Sequence, residues 1–446
     1  MSRLQRRARR EAATARPALF LSTAADHLRA GRLAEALAGL DAALRLDANL
    51  AEAEFLRGLA LAGLGRAPEA VAAFESAIRL RPDYVGAHAN LGATLQSLGR
   101  ATEAVEACEA ALRLRPDLAE AHLNRAAALI TLDRAEEALA GCDTALRCKP
   151  HFTEAHANRS EALRKLRRAA DALAASEAAL ALKPTLAVAH NNRGAALREL
   201  GRHEEALAAF DAALRLATDY ADAHSNCGAA LMDLGRLDEA LAAFERALAL
   251  KPDHAEAYQN AGGAYLRLNQ PDRALAACDA AIRAQPGQVR ARAHRGDALW
   301  VLGRVDEAID DYRAAERLAP TASDVRFNRA LLTLLNGDLA NGWPDYERRW
   351  EIKEAPRRAL SAPFPVWRGE NLGGKSILVY EEQGLGDVLQ FSRYLGRLRQ
   401  RGARVTFLAP KKLVALLTPP PRPAVTKVAH VPKKKPGRPA APRPRR

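Results

Sequence analysis

The chain has 446 residues, 48% of them hydrophobic but only 5% aromatic, so alanine and leucine rather than large rings must supply its buried surface. That balance favours helices packed closely through small side chains; with 27% charged residues and no apolar run near the ~18 to 20 residues of a membrane-spanning helix, it excludes a transmembrane protein. Five cysteines without a C-x-x-C pair exclude a disulfide framework and a zinc knuckle, and make a reducing, cytoplasmic setting the expectation.

The formal charge of +14 sits at the two ends: residues 1–16 contribute +5 and residues 418–446 contribute +9, which leaves the body neutral. The body therefore gives no reason to expect polyanion binding. The basic N-terminal arm (1–16) runs into Ala18, Leu19, Phe20 and Leu21, then into polar Ser22, Thr23 and Asp26. That apolar stretch is too short for a secretory signal.

From residue 17 to 350 the sequence repeats itself. Prolines fall at Pro82, Pro116, Pro150, Pro184, Pro252, Pro286 and Pro320, separated by 34 or a multiple of it, with Thr218 filling the gap. The same step connects Gly31, Gly65, Gly99, Gly201, Gly235, Gly303 and Gly337, with Asp133, Arg167 and Asn269 in the missing places. Within a period, Ala223, Cys227, Leu231 and Leu234 recur at helical spacing before Gly235, and Leu237, Ala240, Leu241, Phe244, Ala247 and Leu248 recur after it. Each period thus predicts two amphipathic helices, the first closed by the glycine and the second by the proline. Small residues mark the crossing points, such as Gly58, Gly92, Gly194 and Gly228 in the first helix and Ala206, Ala240 and Ala274 in the second.

The pattern of Gly228, Ala240, Phe244, Ala247 and Pro252 resembles the tetratricopeptide repeat, over about ten units of the chain. The resemblance implies an all-α fold: a right-handed superhelix, or α-solenoid, whose first helices line a concave groove. Two residues before the small position stand Asn90, Asn124, Asn158, Asn192, Asn226 and Asn260, then His294 and Asn328. A carboxamide offers an acceptor and two donors, so one per unit is suited to gripping the backbone of an extended peptide without reading its side chains. This ladder resembles that of the O-linked N-acetylglucosamine transferases, whose repeat-domain asparagines hold substrate polypeptide. The competing expectation is that these asparagines bond neighbouring helices.

A second ladder, His88, His122, His156, His190 and His224, cannot share a metal, because successive units lie about 9 Å apart whereas zinc–donor bonds are about 2 Å long. No metal site is expected, and the histidines are assigned to packing between repeats. Cys108, Cys142 and Cys278 replace the aromatic seen at Phe74, Phe210 and Phe244 and read as small buried groups.

Beyond Gly337 the pattern changes. Trp343, Tyr346 and Trp350 form one aromatic stripe on a last helix, a docking face by its spacing. A linker (351–374) with Pro356, Pro363 and Pro365 leads to a β-type run at Ser376–Tyr380, a turn at Gly384-Leu385-Gly386-Asp387, a helix from Val388 to about Gln400 and a second β-type run at Arg404–Leu408. Residues 375–417 thus read as the opening β-α-β of a Rossmann-like α/β domain. Gly384 and Gly386 let backbone amides approach an anion, and Asp387 is placed to cap the helix or act as a base.

With Trp367-Arg368-Gly369 and Phe391-Ser392-Arg393-Tyr394, this segment resembles bacterial proteins that join such repeats to a heptosyltransferase-like glycosyltransferase domain. The resemblance implies that Asp387 activates an acceptor hydroxyl and that a second domain binds a nucleotide sugar. Two strands and one helix cannot complete such a domain, so the fragment is expected to be truncated and without transferase activity or cofactor.

Residues 418–446, rich in proline, lysine and arginine, are expected to be disordered. Lys433, Lys434, Lys435 and Arg438 partly resemble an AT-hook, which gives weak DNA binding as a minor alternative. The main expectation is a protein-interaction scaffold that binds an extended segment of another protein in its groove, with no membrane partner. The principal alternative is a protein or glycan glycosyltransferase that uses a nucleotide sugar.

Overall fold

The structure, a computed structural model, describes residues 18–346, 367, 369–380, 388 and 391–417, apart from the side chains at 415 and 416. It divides into two compact units, Met1–Ala319 and Pro320–Arg446.

In the first unit, α1 (18–29) packs Ala24 against Leu40 of α2 (Leu33–Leu46). Helical hairpins follow in strict alternation: α3 (Ala51–Gly63), α4 (Ala67–Leu80), α5 (Val85–Ser97), α6 (Ala101–Leu114), α7 (Ala119–Thr131), α8 (Ala135–Cys148), α9 (Thr153–Lys165), α10 (Ala169–Leu182), α11 (Ala187–Glu199) and α12 (His203–Leu216). The series continues with α13 (Ala221–Asp233), α14 (Leu237–Leu250), α15 (Ala255–Arg267), α16 (Pro271–Ala284), α17 (Val289–Val301) and α18 (Val305–Leu318). Each period holds a first, odd-numbered helix and a second, even-numbered one, as the repeat requires.

The turn inside each hairpin explains the glycine register. Gly65 takes φ +74°, and the same left-handed conformation holds at Asp133 (59°), Arg167 (60°) and Asn269 (57°), where the sequence departs from glycine. At this turn Arg66 N donates to Leu61 O (2.9 Å) and Gly65 N to Ala62 O (3.1 Å), which satisfies carbonyls left open at the end of α3. The second helix then begins with an arginine that forks onto an acid in its first turn, as Arg66 does with Glu69 at 2.7 and 2.6 Å. The pair recurs at Arg100–Glu103, Arg134–Glu137, Arg202–Glu205, Arg236–Glu239 and Arg304–Glu307, and each arginine holds its glutamate below the usual carboxylate range.

Inside each hairpin a small residue on the first helix faces a larger one sixteen positions later. A Cβ added to Gly58 would come within 2.5 Å of the Phe74 ring, and one added to Gly194 or Gly228 within 2.6 Å of Phe210 or Phe244. All three phenylalanines are fully buried. Cys108, Cys142 and Cys278 take the same slot, against Gly92, Ala126 and Gly262, and burial pushes each thiol up to about 12. The apolar core runs on between hairpins; Leu61, Phe74, Leu95, Leu129, Cys142 and Ala162 belong to one cluster. No hairpin buries its faces alone, which makes the fold a solenoid.

In the second unit, α19 (Ser323–Leu335) pairs with α20 (Leu339–Tyr346). Strands β1 (Ser376–Tyr380) and β2 (Arg404–Leu408) lie parallel, in the register Ser376↔Arg404 to Tyr380↔Leu408. The expected helix from Val388 to about Gln400 is present with one interruption: Val388 and Phe391–Ser392 are helical, the chain turns at Arg393–Tyr394, and a regular helix resumes over Leu395–Gln400. Phe391 and Tyr394 are exposed and stack on each other (centroids 6.2 Å apart), whereas Val388 is buried with Phe407, Ala409 and Leu413, and Leu395 packs against the same cluster.

Candidate functional site

Within the first unit, successive first helices touch directly, from α3 on α5 through to α15 on α17, whereas no two successive second helices meet as closely. The odd-numbered helices therefore form the inner face, and the asparagine column lies at their contacts. Asn192 Nδ2 donates to Ala157 O of the preceding first helix at 3.0 Å, and Asn124 Nδ2 reaches Ala89 O at 3.5 Å. Asn226 Nδ2 donates instead to Asn191 Oδ1 at 2.9 Å, and His294 Nδ1 lies 3.3 Å from Gln259 O. Asn90 turns back to Gly86 O of its own helix (2.8 Å), and Asn260 Oδ1 accepts a 3.4 Å bond from Gln259 Nε2. Among the described residues, Asn158 makes no side-chain hydrogen bond.

This geometry divides each carboxamide. At Asn124, Asn192 and Asn226 one N–H of Nδ2 is committed to the previous repeat, while Oδ1 accepts nothing from the described residues and is not sealed from solvent. What these three offer to a ligand is an open Oδ1 and at most one N–H, a narrower capacity than the free carboxamide of Asn158 has. Below the column, near the C-terminal ends of the first helices, the face is charged but neutralises itself: Arg164 pairs with Glu199 (3.0 Å), Arg198 with Asp233 (3.1 Å) and Lys165 with Asp133 (2.9 Å).

The histidine column brackets the turns between repeats. His88, His122, His190 and His224 place Nε2 2.9 to 3.0 Å from the carbonyls of Pro82, Pro116, Pro184 and Thr218, and His156 lies 3.4 Å from that of Pro150. A carbonyl only accepts, so each Nε2 carries the proton and the ring pins the preceding turn. Arg326, at the same place in the second unit, donates to Pro320 O. Among the described residues no three His, Cys, Asp or Glu side chains converge on a metal position.

Sequence reasoning passed over Asn191, Ser225 and Gln259, which immediately precede Asn192, Asn226 and Asn260 and are 7%, 2% and 9% exposed. Their signal was a second polar residue next to the ladder in three consecutive units. In the second unit, Trp343 is 53% exposed and meets Tyr346 edge-on at 5.5 Å, while Tyr346 lies 5.5 Å from Phe327. Trp350 falls outside the described residues, as do Gly384, Gly386 and Asp387 of the anion-binding turn and Lys433, Lys434, Lys435 and Arg438 of the tail.

The pattern of the tetratricopeptide repeat matches residues 90–151, 228–289, 260–323 and 294–359, and a second TPR repeat pattern matches 64–99 and 194–235. The chain belongs to the tetratricopeptide repeat family. Such repeats mark a protein-interaction scaffold. Over 73 residues the chain is 37% identical to Protein FlbA of Caulobacter vibrioides, a match that covers 16% of this chain and 12% of that relative. The chain therefore spans about an eighth of the curated relative's length.

Among solved structures, the repeats are similar to the APC/C hetero-tetramer Cut9-Hcn1, with TM-score 0.52 and 14% identity over 76% of this chain and 88% of that one. A tetratricopeptide repeat protein from Parabacteroides merdae gives TM-score 0.47 and 18% identity, over 56% of this chain and 98% of its own. Among the described residues no helix of this tetratricopeptide repeat chain is long and apolar enough to cross a membrane.

Proposed function

We propose that the scaffold holds an extended segment of a partner protein along its inner face, with the asparagine oxygens accepting hydrogen bonds from the partner's backbone amides. The observation that carries this reading is the fixed carboxamide: one Nδ2 bond holds each of Asn124, Asn192 and Asn226 within the protein, which leaves their Oδ1 atoms as open acceptors. Neighbouring first helices stand about 8 to 10 Å apart, and a polyproline II segment advances about 9.3 Å per three-residue turn. One amide per turn of the partner can therefore meet one asparagine per repeat. Side chains play little part in this capture, so it tolerates many sequences.

The test is a 12-mer peptide selected from a random library against the full chain. Asn158 has no internal bond to lose, so Asn158→Ala should weaken that peptide at least about fivefold, the worth of roughly one hydrogen bond, without moving the thermal transition. Asn192→Ala should weaken binding and also cost about 1 kcal/mol of stability, because its Nδ2 bond is buried. Unchanged binding in both variants rejects the reading.

The parallel pairing of β1 with β2 favours a second reading, in which the Pro320–Arg446 unit begins a sugar-transferring domain. For this chain alone the expected outcome is no turnover of sugar nucleotides, and measured transfer that Asp387→Asn abolishes would install the enzyme reading instead.

A further inference from the structure

A cavity of about 450 Å³ opens beside the asparagine column, between the turn that precedes α15 and the turn that precedes α17. Its walls include Lys251, His254, Glu256, Gln259, Gln285 and Gln288. Gln259 connects it to the column, since its Nε2 reaches Asn260 Oδ1 at 3.4 Å. The volume lies within the ~300 to 1,000 Å³ of small-ligand sites, ample for one long side chain.

The hydrogen-bond inventory of the walls is lopsided. Gln288 gives its Nε2 to Gln285 Oε1 at 3.2 Å, and its own Oε1 is buried with no partner among the described residues. Gln259 likewise spends its amide nitrogen on a neighbouring oxygen. His254, 6% exposed, accepts Ala257 N–H at Nδ1 (3.2 Å), so its proton sits on Nε2 and goes to Asp222 Oδ1 at 3.0 Å. That bond holds Asp222 below the usual carboxylate range. The carboxylate of Glu256 has no partner among the described residues.

Among the described residues the one buried side-chain atom of the wall left without a partner is thus an acceptor, Gln288 Oε1, and the Glu256 carboxylate is open as well, while the open donors, Gln285 Nε2 and Lys251 Nζ, belong to exposed side chains. The charges lean the same way. Among the described residues Lys251 is the one cation lining the cavity, against Asp253 and Glu256, with ionised Asp222 behind His254. A buried acceptor without a donor costs roughly 1 to 3 kcal/mol, so a ligand rich in N–H groups gains most here. A guanidinium brings five, in a planar fork that can bridge a carboxylate and an amide oxygen, whereas a carboxylate or phosphate ligand brings none.

We propose that this cavity is a side-chain subsite for arginine, and that an arginine of the extended partner segment enters it while the backbone follows the asparagine column. The partner assignment rests on the groove reading given above; the arginine preference of the cavity stands independently of it.

The probe is Nα-acetyl-arginine amide, compared with Nα-acetyl-citrulline amide, which keeps the shape but lacks the charge. Saturation-transfer NMR on the full chain should show the arginine probe binding about tenfold more tightly than citrulline, the worth of one charge-assisted contact. Glu256→Gln keeps the volume and lies on the exposed rim; it should remove most of that preference, and Gln288→Ala should weaken the arginine probe several-fold, both with unchanged thermal transitions. Equal binding of the two probes, or arginine binding indifferent to both substitutions, overturns the proposal. Asn158→Ala lies outside the cavity and separates the two readings. If it spares the arginine probe while peptide capture fails, the loss belongs to the column and the subsite stands; if it removes the arginine probe as well, the cavity is not the site.

Discussion

The pairing of a small residue on each first helix with a larger one sixteen positions later can be tested as a thermodynamic coupling. A methyl group on Gly228 would lie 2.6 Å from Phe244 Cε1 and 3.0 Å from the backbone oxygen of Ala240, so one neighbour is a packed ring and the other cannot move aside. Overpacking of this kind costs about 1 to 3 kcal/mol, offset by the ~1 kcal/mol that alanine gains over glycine inside a helix. Gly228→Ala alone should therefore destabilise by about 0 to 2 kcal/mol. Phe244→Cys alone empties a fully buried site and should cost about 2 to 4 kcal/mol.

Together they recreate the pair that the chain already uses at Ala126 and Cys142, both fully buried. The double variant should be no worse than Phe244→Cys, so the coupling should be at least as large as the measured cost of Gly228→Ala alone, up to about 2 kcal/mol. Repeat arrays need not unfold in one step, so urea titration by circular dichroism should be accompanied by hydrogen exchange of α13 and α14. Effects that add to within about 0.5 kcal/mol would refute the size-complementarity account.

Three further outcomes rest on individual side chains. Burial holds the His294 imidazolium below its ordinary value of 6.5, against a smaller opposing pull from Asp297, and burial does the same at His156. The unfolded chain binds these protons first, so stability should be intact above about pH 6.5 and fall as the pH drops towards the depressed folded values; His294→Gln should flatten the acid limb of a pH–stability curve, and an unchanged limb contradicts this. Of the five free cysteines only Cys148 is exposed, while burial raises Cys227 to about 11 and the other three to about 12. An aromatic disulfide reagent should therefore titrate one thiol in the native chain and five after unfolding, and a second fast thiol would show the core to be looser than described. Arg167→Gly should stabilise by about 0.5 to 1 kcal/mol in thermal denaturation, because Arg167 holds a left-handed φ of 60° that glycine adopts without strain; destabilisation would show that its side chain matters more than its backbone.

The hairpins were legible in the sequence because every signal that builds them is local. The left-handed turn appears at Asp133, Arg167 and Asn269 although none is glycine, since the repeat register and the neighbouring helices fix the geometry. The strands Ser376–Tyr380 and Arg404–Leu408 also stand where their β-branched and aromatic runs place them. What was not legible depends on contacts between repeats. Which half of each asparagine carboxamide faces the previous helix is set by the Asn192–Ala157 approach, 35 positions apart. The self-neutralising pairs Arg164–Glu199 and Arg198–Asp233 are set by the same spacing of neighbouring helices. The turn at Arg393–Tyr394 escaped the periodic pattern because amphipathic spacing continues across it, with Val388 and Leu395 on the same apolar cluster.

The central claim, that the column acts through its oxygens on partner backbone amides, is tested most directly by removing those donors from the ligand. A library-selected peptide bound to the full chain should lose at least about tenfold in affinity when N-methylated at every third residue in one of the three possible registers, and far less in the other two. Equal tolerance of N-methylation in all three registers would contradict the account.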